Sequence, residues 1–112
     1  MEISISYLAK QRGNPNISLI TALKPQSYKG EWLPKLAPSY KLLMKYKEDG
    51  DQEAYKKEYL AYLDKLGPEA VVSMLKDGYT YCCFEKTGSF CHRHLLAQWL
   101  RANTDITIVK EE

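Results

Sequence analysis

Ile3, Ile5 and Tyr7 alternate with Glu2, Ser4 and Ser6 at the start of the chain. A period of two is the signature of a strand with one buried face, so a strand is predicted over 2–7. Leu8 to Arg12 reads as a helical turn, and Gly13-Asn14-Pro15-Asn16 as a turn cluster. The short β-branched run from Ile17 to Ala22 predicts a second strand. From Lys24 to Pro38 the pattern lapses, with Pro25, Gly30, Pro34 and Pro38 close together. Proline lacks a backbone donor and fixes φ, so neither a long helix nor a central strand fits there. An ordered loop containing Trp32 is expected, of the length that often sits over a site.

Helical spacing takes over at Ser39. Tyr40, Leu43, Met44 and Lys47 recur on one face until Asp49-Gly50. Asp51 can cap the next helix, where Tyr55, Tyr59, Tyr62, Leu63 and Leu66 form one stripe. Gly67-Pro68 ends it and opens a third helix over Glu69 to Lys76, built on Val71, Val72 and Leu75. Tyr79 to Phe84 is apolar on both parities, as in a strand buried on both faces. A turn through Lys86-Thr87-Gly88-Ser89 leads to a helix over Phe90 to Ala102, whose inner side is Leu95, Leu96, Trp99 and Leu100. Ile106 to Val109 is a last strand before Lys110-Glu111-Glu112. The order β, β, α, α, α, β, α, β ends in a helix crossover, which requires parallel strands. The predicted fold is a Rossmann-like layered α/β domain over 1–112, with a small, mostly parallel sheet of about four strands flanked by helices.

Composition agrees. A chain of 112 residues, 45% apolar and 27% charged, matches an ordinary globular domain and excludes disordered, collagen-like and coiled-coil classes. No basic-then-apolar leader and no run of about 20 apolar residues is present, so no membrane partner is expected. Three cysteines are too few for a disulfide scaffold, which favours a reducing, cytoplasmic setting. Charge is uneven: residues 1–50 hold eight Lys or Arg against four Asp or Glu, and residues 51–112 hold eight against ten. Lys24, Lys29 and Lys35 share the proline-rich loop, as a solvated face or as a patch for phosphate groups.

The segment Cys83-Phe84-Glu85-Lys86-Thr87-Gly88-Ser89-Phe90-Cys91-His92-Arg93-His94 breaks a local rule. His92, Arg93 and His94 crowd a helix N-terminus, where cations cost roughly 0.3–1 kcal/mol each. A bound anion would reverse that penalty, because free amides, the dipole and Arg93 would then act together. The turn also lies beyond the carboxyl end of its strand, where open α/β sheets bind ligands. Lys24, Lys29 and Trp32 can close over it if the second strand is parallel, with Tyr7 at the end of the first.

Blander readings exist for each residue. Ser89 can be a plain N-cap, His92 a packed histidine, and Arg93 an ion-pair partner of Glu85. Cys91, at a helix N-terminus beside Arg and His, can be a nucleophile or redox centre. Cys83, Cys91 and His94 have zinc-like spacing but lack a fourth ligand unless Cys82 serves. Adjacent strand residues point to opposite faces, so Cys82 and Cys83 are poor joint ligands; no metal and no cofactor is expected. Most of the nine tyrosines have core spacing, with Tyr28 in the basic loop the one suited to stacking on nucleic acid.

At these residues the chain resembles the domain-of-unknown-function 488 family. Cys83-Phe84-Glu85-Lys86 and Cys91-His92-Arg93-His94-Leu95-Leu96-Ala97 are similar to its signature, and Leu36-Ala37-Pro38-Ser39 to its second motif, approached through Tyr28-Lys29-Gly30. On this resemblance the chain is expected to stand at the short end of that family, without the appended elements of longer relatives. The resemblance implies a compact α/β domain with its shared polar residues at one edge. Cys83, Glu85, Cys91, His92 and Arg93 carry over as site residues, with Pro38 and Ser39 opposite. Together these readings give an anion site for a phosphate-bearing small molecule or nucleic acid. Cys91, His92 and Glu85 would act chemically, and Arg93, Ser89, Cys83, Lys24, Lys29, Ser39 and Tyr7 would bind. The alternatives are an interaction module whose Glu85, His92 and Arg93 are structural, and a thiol redox protein using Cys91.

Overall fold

In a computed structural model the chain is described at residues 1–85 and 90–112. The strands there are β1 (Glu2–Tyr7), β2 (Ile17–Leu19), β3 (Glu31–Trp32), β4 (Thr80–Cys83) and β5 (Thr107–Glu111). The helices are α1 (Tyr40–Asp49), α2 (Gln52–Leu66), α3 (Pro68–Met74) and α4 (His92–Asn103). Short 3-10 turns cover Leu8–Gln11 and Pro34–Leu36. The strands form one sheet in the order β3-β2-β4-β1-β5, and every neighbouring pair is parallel. The predicted α/β class holds, with a fifth strand added. The proline-rich loop contributes that strand: Glu31 and Trp32 fit between Pro25 and Pro34 as a two-residue pairing at the sheet edge, where missing donors cost little.

Local chemistry sets the helix ends. The Ser39 hydroxyl accepts from the Leu42 amide at 3.1 Å, and the Asp51 carboxylate accepts from the Ala54 amide at 3.0 Å. Gly50 closes α1 in the left-handed region at φ 65°, a position that favours glycine. Pro68 opens α3 at a position needing no amide hydrogen. The turn expected over 86–89 lies outside the described residues, and α4 opens at His92, with Cys91 rather than Ser89 in the cap position.

Strand parity divides the interior. Ile3, Ile5, Tyr81 and Cys83 face one cluster with Tyr55, Tyr59, Leu63, Val71, Leu96, Trp99 and Leu100 from the helices. The reverse face carries a smaller group, Leu19, Tyr28 and Cys82, with Leu8 and Ile17. Full burial of each aliphatic side chain contributes about 1.5–3 kcal/mol, so the helical face supplies most of the hydrophobic stabilisation. Tyr28, expected as an exposed stacking residue, is instead in the smaller core, with its hydroxyl donating to the Glu31 carbonyl at 2.5 Å. No helix among the described residues is long and apolar enough to cross a membrane.

Neighbours β1 and β4 send their connections to opposite sides: β1 leads back to β2, and β4 leads through α4 to β5. Their carboxyl ends therefore flank a switch point, the usual ligand position in such sheets.

Candidate functional site

A cavity of about 180 Å3 lies beyond the carboxyl ends of β2 and β4, lined by Cys91, His92, Glu85 and Pro38, with Tyr46, Tyr55, Phe84 and Phe90 among its walls. The aromatic wall is a packed unit. Tyr46, Tyr55 and Phe90 sit with ring centroids 5.1–5.3 Å apart, each pair tilted or edge-on. Exposed Lys47 is also part of the lining.

Cys91 is the cap residue of α4 and only 4% exposed. Its Sγ donates to Glu85 Oε2 at 3.1 Å and lies 3.7 Å from His92 Nδ1. Cys83, at the end of β4, places its Sγ 3.7 Å from the same Nδ1. The other imidazole nitrogen, Nε2, bonds the Ile20 carbonyl, and the ring meets Tyr59 edge-on at 5.6 Å. This fixes the tautomer: Nε2–H faces a carbonyl, so the lone pair is on Nδ1, 3.7 Å from Cys91 Sγ, while Cys83 Sγ lies beside the ring, 3.4 Å from Nε2 and 3.7 Å from Nδ1.

The sulfurs differ electrostatically. The Cys83 thiol is held well above its usual range, first by burial and then by its bond to Cys91. Cys91 is held well below, first because the Cys83 thiol donates to it, against the opposing effect of burial, and further by His92. The Arg93 amide lowers Cys91 as well, although Sγ makes no formal cap bond. Glu85 is exposed as a whole, but its carboxyl turns inward and is raised by burial there and by Cys91.

The other expected residues are distributed differently. Arg93 is fully buried but lies outside the cavity lining. One of its terminal nitrogens donates to the Glu112 carbonyl at 3.2 Å, and its guanidinium covers the Tyr7 ring at 5.7 Å. Tyr7 thus supports Arg93 rather than the cavity. Ser39 caps α1, and exposed Lys24 and Lys29 stand away from the lining. Trp32 is also outside it, with its indole donating to the Thr21 carbonyl at 2.8 Å. Ser89 lies outside the described residues. His94 pairs with Glu111 at 2.7 Å, so the imidazole that joins the cysteines is His92 instead. Missing from the sequence reading are Tyr46, Tyr55 and Phe90 as cavity walls. Tyr55 was legible only as core packing, and Tyr46 and Phe90 stood out in no stripe.

Residues 6–104 match the family DUF488-N3a, described as the active DUF488-N3 subclade. The chain belongs to the DUF488 family. No curated protein and no solved structure matches. The matched span contains Cys83, Glu85, Cys91, His92 and Arg93 together with the cavity walls.

Proposed function

We propose that the chain is a cysteine-dependent enzyme in which Cys91 Sγ is the reacting atom, acting on a small molecule taken into the aromatic cavity. The single observation that carries this is the placement of Cys91 in the cavity lining with Glu85 Oε2 at 3.1 Å. A carboxylate at that distance takes up the proton when Cys91 ionises, and the sulfur then attacks as the thiolate. The Cys83 thiol and the amide end of α4 then stabilise the negative sulfur. The rule violation at the helix tip has an internal answer on this reading, since the anion is the protein's own thiolate. The description of the matched subclade as active agrees with a chemical role.

Tyr46, Tyr55 and Phe90 suit an apolar or aromatic body, and Lys47 suits an anionic group such as phosphate at the rim. A nucleic-acid end has less support, because Tyr28 is packed inside. Arg93 serves as a strut on this reading, not as an anion clamp.

The test is alkylation of the chelator-treated, reduced protein at neutral pH, with each cysteine followed by mass spectrometry. Cys91 should label well ahead of Cys82 and Cys83, and Glu85→Gln should slow it by about tenfold or more. Labelling of Cys91 no faster than that of the unfolded chain overturns the proposal. In a thermal-shift series, phosphate and small aromatic phosphates should stabilise the native protein and lose that effect in Lys47→Ala.

A further inference from the structure

Cys83, Cys91 and His92 also have the geometry of a metal site. Their ligand atoms all lie within 4.8 Å of one another. His92 Nδ1 is 3.7 Å from each sulfur. With metal–sulfur distances of ~2.3 Å and metal–nitrogen distances of ~2.0 Å, the edges of a tetrahedral site are roughly 3.5–3.8 Å long. Both nitrogen–sulfur distances match such an edge, and one ion spans the three atoms once Cys83 Sγ, 3.4 Å from Nε2, turns toward Nδ1. A second, independent observation concerns the far side of the ring: His92 Nε2 is bonded to the Ile20 carbonyl. Metal-ligating histidines characteristically hand their other N–H to such an acceptor, which fixes the tautomer and strengthens the donor.

We infer that Cys83 Sγ, Cys91 Sγ and His92 Nδ1 bind a soft divalent cation of the Zn2+ class, with the fourth position open to the cavity. Two thiolates and an imidazole select zinc-like ions over Mg2+ or Ca2+, which take oxygen ligands. Glu85, within 3.1 Å of Cys91, is placed to fill the fourth position or to bond a water there. Three protein ligands with an exchangeable fourth position is the open form of a zinc site rather than the closed structural form. Cys82 takes no part, because it faces the smaller cluster on the reverse side of the sheet. The inference goes beyond the nucleophile reading and does not need it. If both hold, the metal-bound and the reactive states of Cys91 exclude each other, and the cation masks the thiol.

The experiment titrates Co2+ into the reduced, chelator-stripped full chain. The expected result is intense visible bands of tetrahedral cobalt with near-ultraviolet thiolate charge transfer, saturating at one ion per chain and bleached by Zn2+. Cys82→Ser should keep the spectrum. Cys91→Ser and His92→Ala should weaken binding by at least about tenfold. Zn2+ should also protect Cys91 of the native protein from alkylation, a readout that survives if His92→Ala fails to fold. A pale octahedral spectrum, or Cys91→Ser binding Co2+ as tightly as the native chain, overturns the inference. Rapid alkylation of chelator-treated Cys91 alongside such a failure leaves the nucleophile reading standing, so the two are judged separately.

Discussion

His92 and Arg93 are neighbours on the first turn of α4, yet their side chains serve different parts of the molecule. His92 turns to the cavity, held by Ile20 and Tyr59 and facing two sulfurs. Arg93 runs to the carboxyl end of β1, over Tyr7 and to the Glu112 carbonyl. Cys82 and Cys83 repeat the division in β4, one in each hydrophobic cluster. A step of one residue turns a helical side chain by about 100° and a strand side chain to the opposite face. A contiguous motif is thereby sorted into a chemical half and a structural half. Sequence proximity marks such a motif, but backbone periodicity decides which of its members meet.

That partition predicts opposite balances of stability and reactivity, and the largest effect should come from its structural half. Arg93→Ala removes a fully buried side chain and leaves a cavity beneath Tyr7 and Glu112. It should cost about 3 kcal/mol in urea unfolding. Cys91→Ser, nearly isosteric, should cost less than about 1.5 kcal/mol while abolishing the fast alkylation. If Arg93→Ala unfolds with the native midpoint, the strut assignment is wrong.

His92→Ala sits between the halves and should show both effects. Loss of the Tyr59 contact and of the partner to the Ile20 carbonyl should cost about 1–2 kcal/mol. Removal of the imidazole beside Sγ should slow Cys91 labelling in the same preparation. A variant that loses stability but labels at the native rate would make His92 purely structural.

Gly30→Ala probes the reverse face. A Cβ there would stand 2.6 Å from the Tyr28 hydroxyl and 2.8 Å from its Cζ. The buried ring must give way, with loss of its bond to Glu31, at about 1 kcal/mol. Cys91 labelling should not change. A parallel loss of labelling would show that the two faces are coupled.

Much of this arrangement was legible in the chain. The alternation at Ile3, Ile5 and Tyr7, the cap at Asp51 and the stop at Gly67-Pro68 act through neighbouring atoms, so local reading recovers β1 and the ends of α2. The two-residue β3 was not legible, because Glu31 and Trp32 are held by pairing with β2 and carry no period of their own. The placement of Cys91 beside Cys83 and Glu85 was within reach, since one strand-loop-helix turn holds all three. His92 was already legible beside Cys91 and Glu85, and only the zinc-like spacing pointed to His94, which the start of α4 and the Ile20 carbonyl just after β2 rule out. Tyr28 misled for a similar reason. Its basic neighbours implied exposure, while Leu19 and Cys82, distant in sequence, draw it inside.

The smallest effect should come at the outer margin of the structural half, where β5 ends. Glu112 receives Lys10 at 2.8 Å and the Ser6 hydroxyl at 2.8 Å. Its carboxyl is held below the ordinary range by the bond to Lys10 first and by Ser6 next. Glu111 is pushed up by burial, but its bonds to His94 and Arg101 outweigh that and lower it overall. A carboxylate whose folded pKa is depressed stabilises fully above its unfolded pKa, and the contribution fades as pH falls through the folded value. The melting temperature should therefore lose these contributions only on acidification below the ordinary glutamate value of 4.5. Glu111→Gln with Glu112→Gln should give the shallowest neutral-pH loss of the series and flatten the acid limb relative to the native chain. Exposed pairs contribute little each, so the readout is the difference between the two acid limbs, not their absolute depth. Identical limbs would mean that these carboxylates add nothing to the hold that Arg93 and the backbone pairing with β1 keep on the end of β5.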